Sequence, residues 1–192
     1  MKYIALILML ISGGVYAGDI SSMKRFEKFT DNLDTVSASF QQIKMIPESD
    51  KKFISSGHVK FQKGRGFIWI QNAPTKQVAI STKTKYCVDG VSQDLNSLPY
   101  FSYIRRMIDD ALSGDMSSLQ MVFNIDYSEY DKNQWQITAK PRFDSVAEFV
   151  QDFVMYGTTD DLTKIILTYQ NGTVVIIKFN RMNTEIKDEI AC

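Results

Sequence analysis

The stretch from Gly57 to Gly90 constrains the fold more than any other part of the chain. Val59 and Phe61 alternate with polar neighbours, and the aromatic residues Phe67 and Trp69 also occupy every second position. Glycines separate the two runs, and a proline ends the second one. An alternation with a period of two, bounded by glycine and proline, is typical of antiparallel strands. The sequence therefore predicts a β-meander with aromatic side chains on one face, and that face must be covered.

The same alternation predicts further strands before and after this stretch. Asp89-Gly90 marks a turn, and Asn171-Gly172 favours a type I′ hairpin turn between the last two strands. The segment 145–156 fits a helix or a strand, and its place in a meander favours a strand. The expected strands run from Val36 to about Met45 and then over 53–63, 65–72, 76–82, 85–89, 121–128, 134–140, 162–170 and 173–179.

Two stretches have helical rather than alternating spacing. The first helix is amphipathic, and it either only covers the sheet or also moves as a lid. The second follows Pro99 and ends at Gly114, so it interrupts the strands and is placed to cover one mouth of a curved sheet. Their apolar positions are Ile20, Met23, Phe26, Phe29 and Leu33 in the first, and Tyr100, Tyr103, Ile104, Met107, Ile108 and Leu112 in the second.

The start of the chain indicates export. Residues 1–17 combine a basic start, an apolar run too short for a membrane span, and a small-residue cleavage site at Val15-Tyr16-Ala17. We expect cleavage after Ala17, which leaves 18–192 as a single domain large enough for a sizeable core. Charge is balanced, so nothing favours nucleic acid as a partner.

Cys87 and Cys192 are the only cysteines, and an oxidising compartment permits a disulfide between them. The alternatives are a buried small hydrophobic residue at Cys87 and a free thiol at Cys192. No Cys-x-x-Cys pair and no cluster of histidines and cysteines occurs, so no metal site is expected. His58 is the only histidine, and no Gly-x-Ser-x-Gly motif accompanies it. The residues therefore give no basis for an enzyme.

A curved sheet or open barrel of about ten strands, covered by helices, can be filled by its own side chains or can hold a cavity. Composition alone favours a filled interior. Four groups of motifs bear on the choice. They are Leu33, Val36, Phe40 and Gln42; Lys63-Gly64-Arg65-Gly66-Phe67-Ile68-Trp69 with Pro74; Val78-Ala79-Ile80-Ser81 with Tyr86-Cys87-Val88-Asp89; and Leu162 to Phe179 with Asn171-Gly172 and Asn183. In this order and spacing, behind a leader segment, they resemble the periplasmic outer-membrane lipoprotein carriers of the LolA family.

The resemblance implies a fold and a function. The fold is mainly β with α: an unclosed antiparallel β-barrel of about ten or eleven strands, with helices as a lid over a hydrophobic cavity. The implied activity is carriage without catalysis and without a cofactor. A monomeric, soluble periplasmic carrier takes an acylated lipoprotein from an inner-membrane ABC transporter complex, shields its acyl chains and delivers it to an outer-membrane receptor lipoprotein.

The residues expected to bind the ligand are apolar side chains of the predicted strands and of the second helix. Each could instead be ordinary core packing, because strand register decides which side chains face inward. In the family a basic residue holds the lid through hydrogen bonds to backbone carbonyls, and Lys63 matches it. Arg65 takes that role if the turn is shifted. The expected cavity residues are Phe40, Val59, Phe61, Phe67, Trp69 and Val78, with Ile104, Met107 and Ile108 on the lid.

Several positions depart from the family pattern. Lys63 offers the compact charge of an ammonium group rather than the planar donor fork of a guanidinium. Gly64 and Ile68 stand where the family has proline and arginine. The sequence ends at Ile190-Ala191-Cys192, without the family's Pro-rich Phe-x-Phe segment that helps retain the carrier in the periplasm. These departures suggest a divergent carrier, dedicated to another acylated or polyene cargo. The alternative is a lipid-binding sensor or accessory carrier on the same fold, serving a glycolipid or polyene biosynthesis cluster.

Overall fold

A computed structural model of the chain describes residues 20–49, 51–82, 84–93, 107–131, 133–181 and 190–191. The expected leader segment 1–17 lies outside these ranges and stays a prediction. The elements in chain order are α1 (Ile20–Asp31), β1 (Thr35–Met45), β2 (Lys52–Gln62), β3 (Gly66–Ala73), β4 (Gln77–Thr82), β5 (Tyr86–Val88), β6 (Val91–Ser92), α2 (107–113), α3 (Met116–Val122), β7 (Phe123–Asp131), β8 (Gln134–Pro141), α4 (Asp144–Ala147), β9 (Val150–Gly157), β10 (Leu162–Tyr169) and β11 (Val174–Arg181).

All eleven strands form one antiparallel sheet. Its order is β6-β5-β4-β3-β2-β1-β11-β10-β9-β8-β7, so two consecutive meanders join where β1 pairs with β11. Within the described ranges β6 and β7 are the two ends of this order, and the barrel is therefore unclosed. The predicted fold class, an unclosed antiparallel barrel with helices, is confirmed.

One face of the sheet, here called the inner face, carries the apolar core. On β8 the residues Trp135, Ile137 and Ala139 alternate with polar neighbours and are nearly inaccessible to solvent. The register places Phe153 opposite Ala139 and Met155 opposite Ile137, so each row of the inner face is apolar across strands. Burial of these rows removes large apolar areas from water, which is the main favourable term in folding.

Helices α1 and α2, together called the lid, cover the inner face. The buried face of α1 carries Ser22, Phe26, Phe29 and Thr30, and it packs on β7 and β8. Ser22 in the first turn is fully buried, and its Oγ donates to the Ser128 carbonyl on β7 at 2.7 Å. Ile20 and Met23, predicted to belong to the same apolar face, are exposed because they lie off the face that docks on the sheet. From α2, Met107 is buried in the core. The expectation that the first helix covers the sheet is thus met.

The segment 145–156 is a helix and a strand in succession. Asp144 opens the short helix α4, which buries Val146, and the chain becomes extended only at Val150. The predicted strand is therefore right from Val150 onward and wrong before it. A carboxylate in the first turn stabilises a helix start, and this favours the helical turn locally.

The two predicted turns differ from each other in type. Asp89 and Gly90 both have positive φ, 50° and 81°, as a type I′ turn requires. In the β10–β11 hairpin only Gly172 has positive φ, and its N–H donates to the Tyr169 carbonyl. The type I′ prediction at Asn171-Gly172 is therefore wrong, and a three-residue loop with glycine in the left-handed position replaces it. Asn171 Oδ1 accepts the N–H of Thr173, which stabilises this alternative.

Candidate functional site

An apolar cavity of ≈ 90 Å³ lies between the inner face and the lid. Its wall comes from β1, β2 and β3 on one side and from β10 and β11 on the other. Ile108 and Leu112 on α2, with Phe29 on α1, form its roof. The lining is hydrocarbon or aromatic except for Asp161 and Arg181. Such a cavity offers dispersion contacts to an apolar ligand and almost nothing to a polar one.

Five of the sequence-predicted residues meet in this lining. Val59 lies opposite Trp69, and Phe61 lies opposite Phe67, so the four side chains form a block on one face of β2 and β3. Ile108 contacts the same space from the lid. Strand alternation predicted that these four strand residues share a face, because residues that pair across antiparallel strands point to the same side of the sheet.

The other predicted cavity residues lie elsewhere. Phe40 is on the inner face, but it stacks on Trp69 with 3.7 Å between ring centroids and forms the wall behind the cavity. Met107 is packed in the core. Val78 lies opposite Ile70, one position out of phase with Trp69, and therefore on the outer face. Ile104 lies outside the described residues.

The sequence interpretation missed part of the lining. Ile165 and Ile177 come from the last hairpin, Phe29 comes from the C-terminal half of α1, and Leu33 comes from the segment that follows α1. The hairpin residues occupy alternate positions and could have been found by the criterion used for β2 and β3. Which residues of α1 line the cavity depends on where the helix docks on the sheet. No local sequence pattern shows that position.

Lys63 connects the β2–β3 turn to the lid. Its Nζ donates a hydrogen bond to the Thr30 carbonyl at 2.9 Å, and its backbone N–H donates to the Asp34 carbonyl at 2.8 Å. Thr30 lies in the last turn of α1, where carbonyls lack helical partners and the helix dipole is negative. A lysine there favours the docked position of α1. Its role in opening and closing stays a prediction.

Arg65 is the other residue named for this role. Its backbone N–H donates to the Gln62 carbonyl within the turn. The side chain is exposed, and within the described residues it makes no recorded hydrogen bond. Cys87 is buried on β5, while its expected disulfide partner Cys192 lies outside the described residues, so this pairing stays a prediction.

A second attachment of α1 is aromatic. Phe26 and Phe29 contact the Trp135 ring at centroid distances of 5.0 and 5.3 Å. Trp135 is fully buried, and its indole Nε1 donates to the Thr158 carbonyl at 2.6 Å. A buried tryptophan with a satisfied N–H is a strong packing element. The helix is therefore held by this apolar contact on β8, by the Ser22 hydrogen bond to β7 near its start, and by one lysine at its C-terminal end.

Neither Tyr127 nor His58 belongs to the lining of the cavity. Burial, followed by the nearby charge of Glu27, raises the pKa of the Tyr127 phenol, which therefore stays neutral near pH 7. His58 Nδ1 lies 3.0 Å from Asn72 Nδ2, on the face of β2 opposite to the cavity.

In the part of the chain that the structure describes, no three His, Cys, Asp or Glu residues gather as a metal site. None of the described helices is long and apolar enough to cross a membrane.

The fold and the cavity place the chain in the class of unclosed antiparallel barrels covered by helices. The family model described as "Outer membrane lipoprotein carrier protein LolA" matches residues 31–189, and the chain belongs to this family. Members of the family are periplasmic carrier proteins rather than enzymes. A curated outer-membrane lipoprotein carrier protein of Francisella philomiragia subsp. philomiragia is 25% identical over 195 residues, which cover 97% of this chain and 89% of that protein.

Two solved structures are also similar. A LolA superfamily protein from Nitrosomonas europaea has a TM-score of 0.44 at 8% identity, covering 88% of this chain and 95% of that one. A Pseudomonas aeruginosa MucA/MucB complex also gives a TM-score of 0.44, at 13% identity, with 90% of this chain covering 60% of that chain. Similarities at this level carry no functional argument.

Proposed function

We propose that the protein is a periplasmic carrier that binds the acyl chains of a lipoprotein, or of a related lipidated molecule, and shuttles it from the inner to the outer membrane. The observation that supports this most directly is the apolar cavity beneath a two-helix lid. Its partners would be an inner-membrane ABC transporter complex and an outer-membrane receptor lipoprotein. The family model and the carrier from Francisella philomiragia agree with this proposal.

The size of the cavity requires the lid to move. A dry cavity of about 150 Å³ is the kind that binds a single benzene molecule, and ≈ 90 Å³ is smaller. A cavity of ≈ 90 Å³ therefore has too little room for a whole acyl chain. Each buried methylene contributes about 0.8 kcal/mol, so ten of them supply about 8 kcal/mol towards opening the lid.

The contacts of α1 with the sheet differ in strength. Its aromatic contact with Trp135 is large and buried, whereas its contact with Lys63 is one hydrogen bond from an exposed side chain. Phe29 and Thr30, which make these two contacts, are neighbours near the C-terminal end of α1, so lifting that end must release both. The Lys63 hydrogen bond is the contact that breaks at lower cost, and the aromatic contact accounts for the larger part of the cost of opening.

Native mass spectrometry of the purified protein tests the proposal. The probe is a tripalmitoylated Cys-Ser-Ser peptide amide, and the matched control is the same peptide without acyl groups. We expect one acylated peptide per protein and no binding of the control. A protein that stays in its ligand-free mass with a molar excess of acylated peptide would rule out the carrier function.

A further inference from the structure

Two charged side chains stand at the rim of the otherwise apolar cavity. Asp161 and Arg181 belong to its lining, and Arg181 Nε forms an ion pair with Asp161 Oδ1. Their side chains are 40% and 47% exposed, so the pair lies where the cavity meets solvent. Arg181 ends β11 opposite Ala38, another lining residue. An amphiphile with its chain in the cavity would bring its polar head to this pair.

The turn that carries Asp161 is fixed by its own hydrogen bonds. Thr158 Oγ1 accepts the N–H groups of Asp160 and Asp161, and the Thr158 N–H donates to the Asp161 carbonyl. The Trp135 indole holds the Thr158 carbonyl at 2.6 Å. The Asp161 carboxylate is thus positioned before any ligand arrives, which lowers the entropic cost of using it.

The guanidinium group of Arg181 is only partly engaged. Nε donates to Asp161, and Nη2 donates to the Asp160 carbonyl. These two nitrogens form one of the two edges by which a guanidinium binds a phosphate or carboxylate bidentately, and here that edge is occupied. A guanidinium has five N–H groups. Within the described ranges Arg181 makes no other hydrogen bond, so its remaining donors are available to single carbonyl oxygens.

We infer that Asp161 and Arg181 form a polar-head subsite for the uncharged ester and amide groups that join acyl chains to a lipoprotein. The inference rests on the proposed function and adds a selectivity to it. Arg181 donates to ester or amide carbonyls, and the carboxylate of Asp161 accepts an amide N–H. Neither contact requires the ion pair to break.

The same subsite disfavours a phospholipid with identical acyl chains. A phosphate at the rim would meet the negative charge of Asp161, and only the Nη1 and Nη2 edge of Arg181 would be left to bind it. Partial exposure weakens this repulsion but does not change its sign. A carrier surrounded by membrane phospholipid would thus retain its cavity for lipoprotein.

Competition in native mass spectrometry tests the subsite. The probes, at equal concentration, are the tripalmitoylated Cys-Ser-Ser amide and dipalmitoyl phosphatidylglycerol. The informative variant is Asp161→Asn, which removes the charge and keeps the shape. The matched control is Asp160→Asn, because Asp160 contacts Arg181 only through its backbone carbonyl. Thermal melting checks that both variants stay folded.

We expect the parent protein to load the lipopeptide in at least tenfold excess over the phospholipid. Asp161→Asn should lower this ratio by about tenfold, and Asp160→Asn should leave it within about twofold. Arg181→Gln should weaken lipopeptide loading by about fivefold. An unchanged ratio in Asp161→Asn, or an equal change in Asp160→Asn, overturns the subsite while leaving the carrier function intact. A parent protein that loads neither probe overturns both.

Discussion

The same alternation of apolar residues gives a packed core in one half of the sheet and a cavity wall in the other half. In the filled half, β7 to β9, Trp135 and Phe153 are at most 1% exposed and belong to the apolar core. In the hollow half, β1 to β3, Phe67 and Trp69 are only partly buried and border the cavity. The aromatic residues of α1 pack onto the filled half. What covers a strand therefore decides whether its apolar face becomes core or the wall of a cavity.

The two tryptophans of the chain provide the largest test of this difference. Trp135→Ala removes a fully buried indole, its contacts with α1 and its hydrogen bond to Thr158, and should lower the free energy of unfolding by about 3–5 kcal/mol. Trp69→Ala enlarges an existing cavity and should cost roughly half as much. Urea denaturation measures both, and Trp→Phe at each position controls for loss of ring volume. Equal costs would show that the halves are equally well packed.

Filling the cavity of the hollow half should weaken binding without harming the fold. Ala38→Leu adds methyl groups into the ≈ 90 Å³ cavity and should reduce loading of the acylated peptide by about tenfold, with little change in melting temperature. The matched control is Ser39→Leu, the next residue along β1, whose side chain is on the outer face. If loading falls equally in both variants, the acylated peptide does not bind in this cavity.

The single-lysine attachment of α1 should affect transfer more than stability. Lys63→Leu removes the hydrogen bond to the Thr30 carbonyl, and because the side chain is exposed the melting temperature should change little. Exchange of acylated peptide between carrier and an acceptor should become about threefold faster. Arg65→Leu removes a neighbouring charge with no recorded side-chain hydrogen bond and should exchange like the parent. Equal exchange in Lys63→Leu and the parent rules out a latch at this position.

The smallest effect concerns pH. Burial, followed by the nearby charge of Glu27, raises the folded-state pKa of Tyr127 above its ordinary value of 10.0. A raised pKa means that the stabilising contribution is complete below about pH 10 and is lost as pH rises through the folded value. Tyr127→Phe should therefore lose less stability between pH 9 and 11 than the parent does. Tyr86→Phe serves as the comparison, since burial raises that pKa as well. Identical slopes in the parent and Tyr127→Phe would contradict the shift.

Local sequence patterns predicted the parts of the site that local structure determines. The block of Val59, Phe61, Phe67 and Trp69 follows from one hairpin, whose alternation is visible in the sequence. Val78 was misplaced because one residue of register moves a side chain to the other face, and the chain between β3 and β4 does not reveal that register.

Features that depend on docking could not be predicted in this way. The Asp161–Arg181 pair joins a turn to the end of the last strand, and neither residue stands out in the sequence. The position of Lys63 beneath α1 came from a family resemblance, since nothing in its own neighbourhood indicates a partner in another helix. The size of the cavity depends on how α1 and α2 settle on the sheet, which is a property of the whole fold.

The pairing of β1 with β11 has a consequence for how the molecule is assembled. Each meander consists of neighbours in sequence and can form early, but Phe40 meets Phe179 only when the two ends of the fold come together. Contacts between such distant segments form late and slow the overall rate. Until then β1 has an unpaired edge beside the apolar surface of its own hairpin, and such edges promote aggregation. Newly made chains are therefore most vulnerable just before their last strand docks.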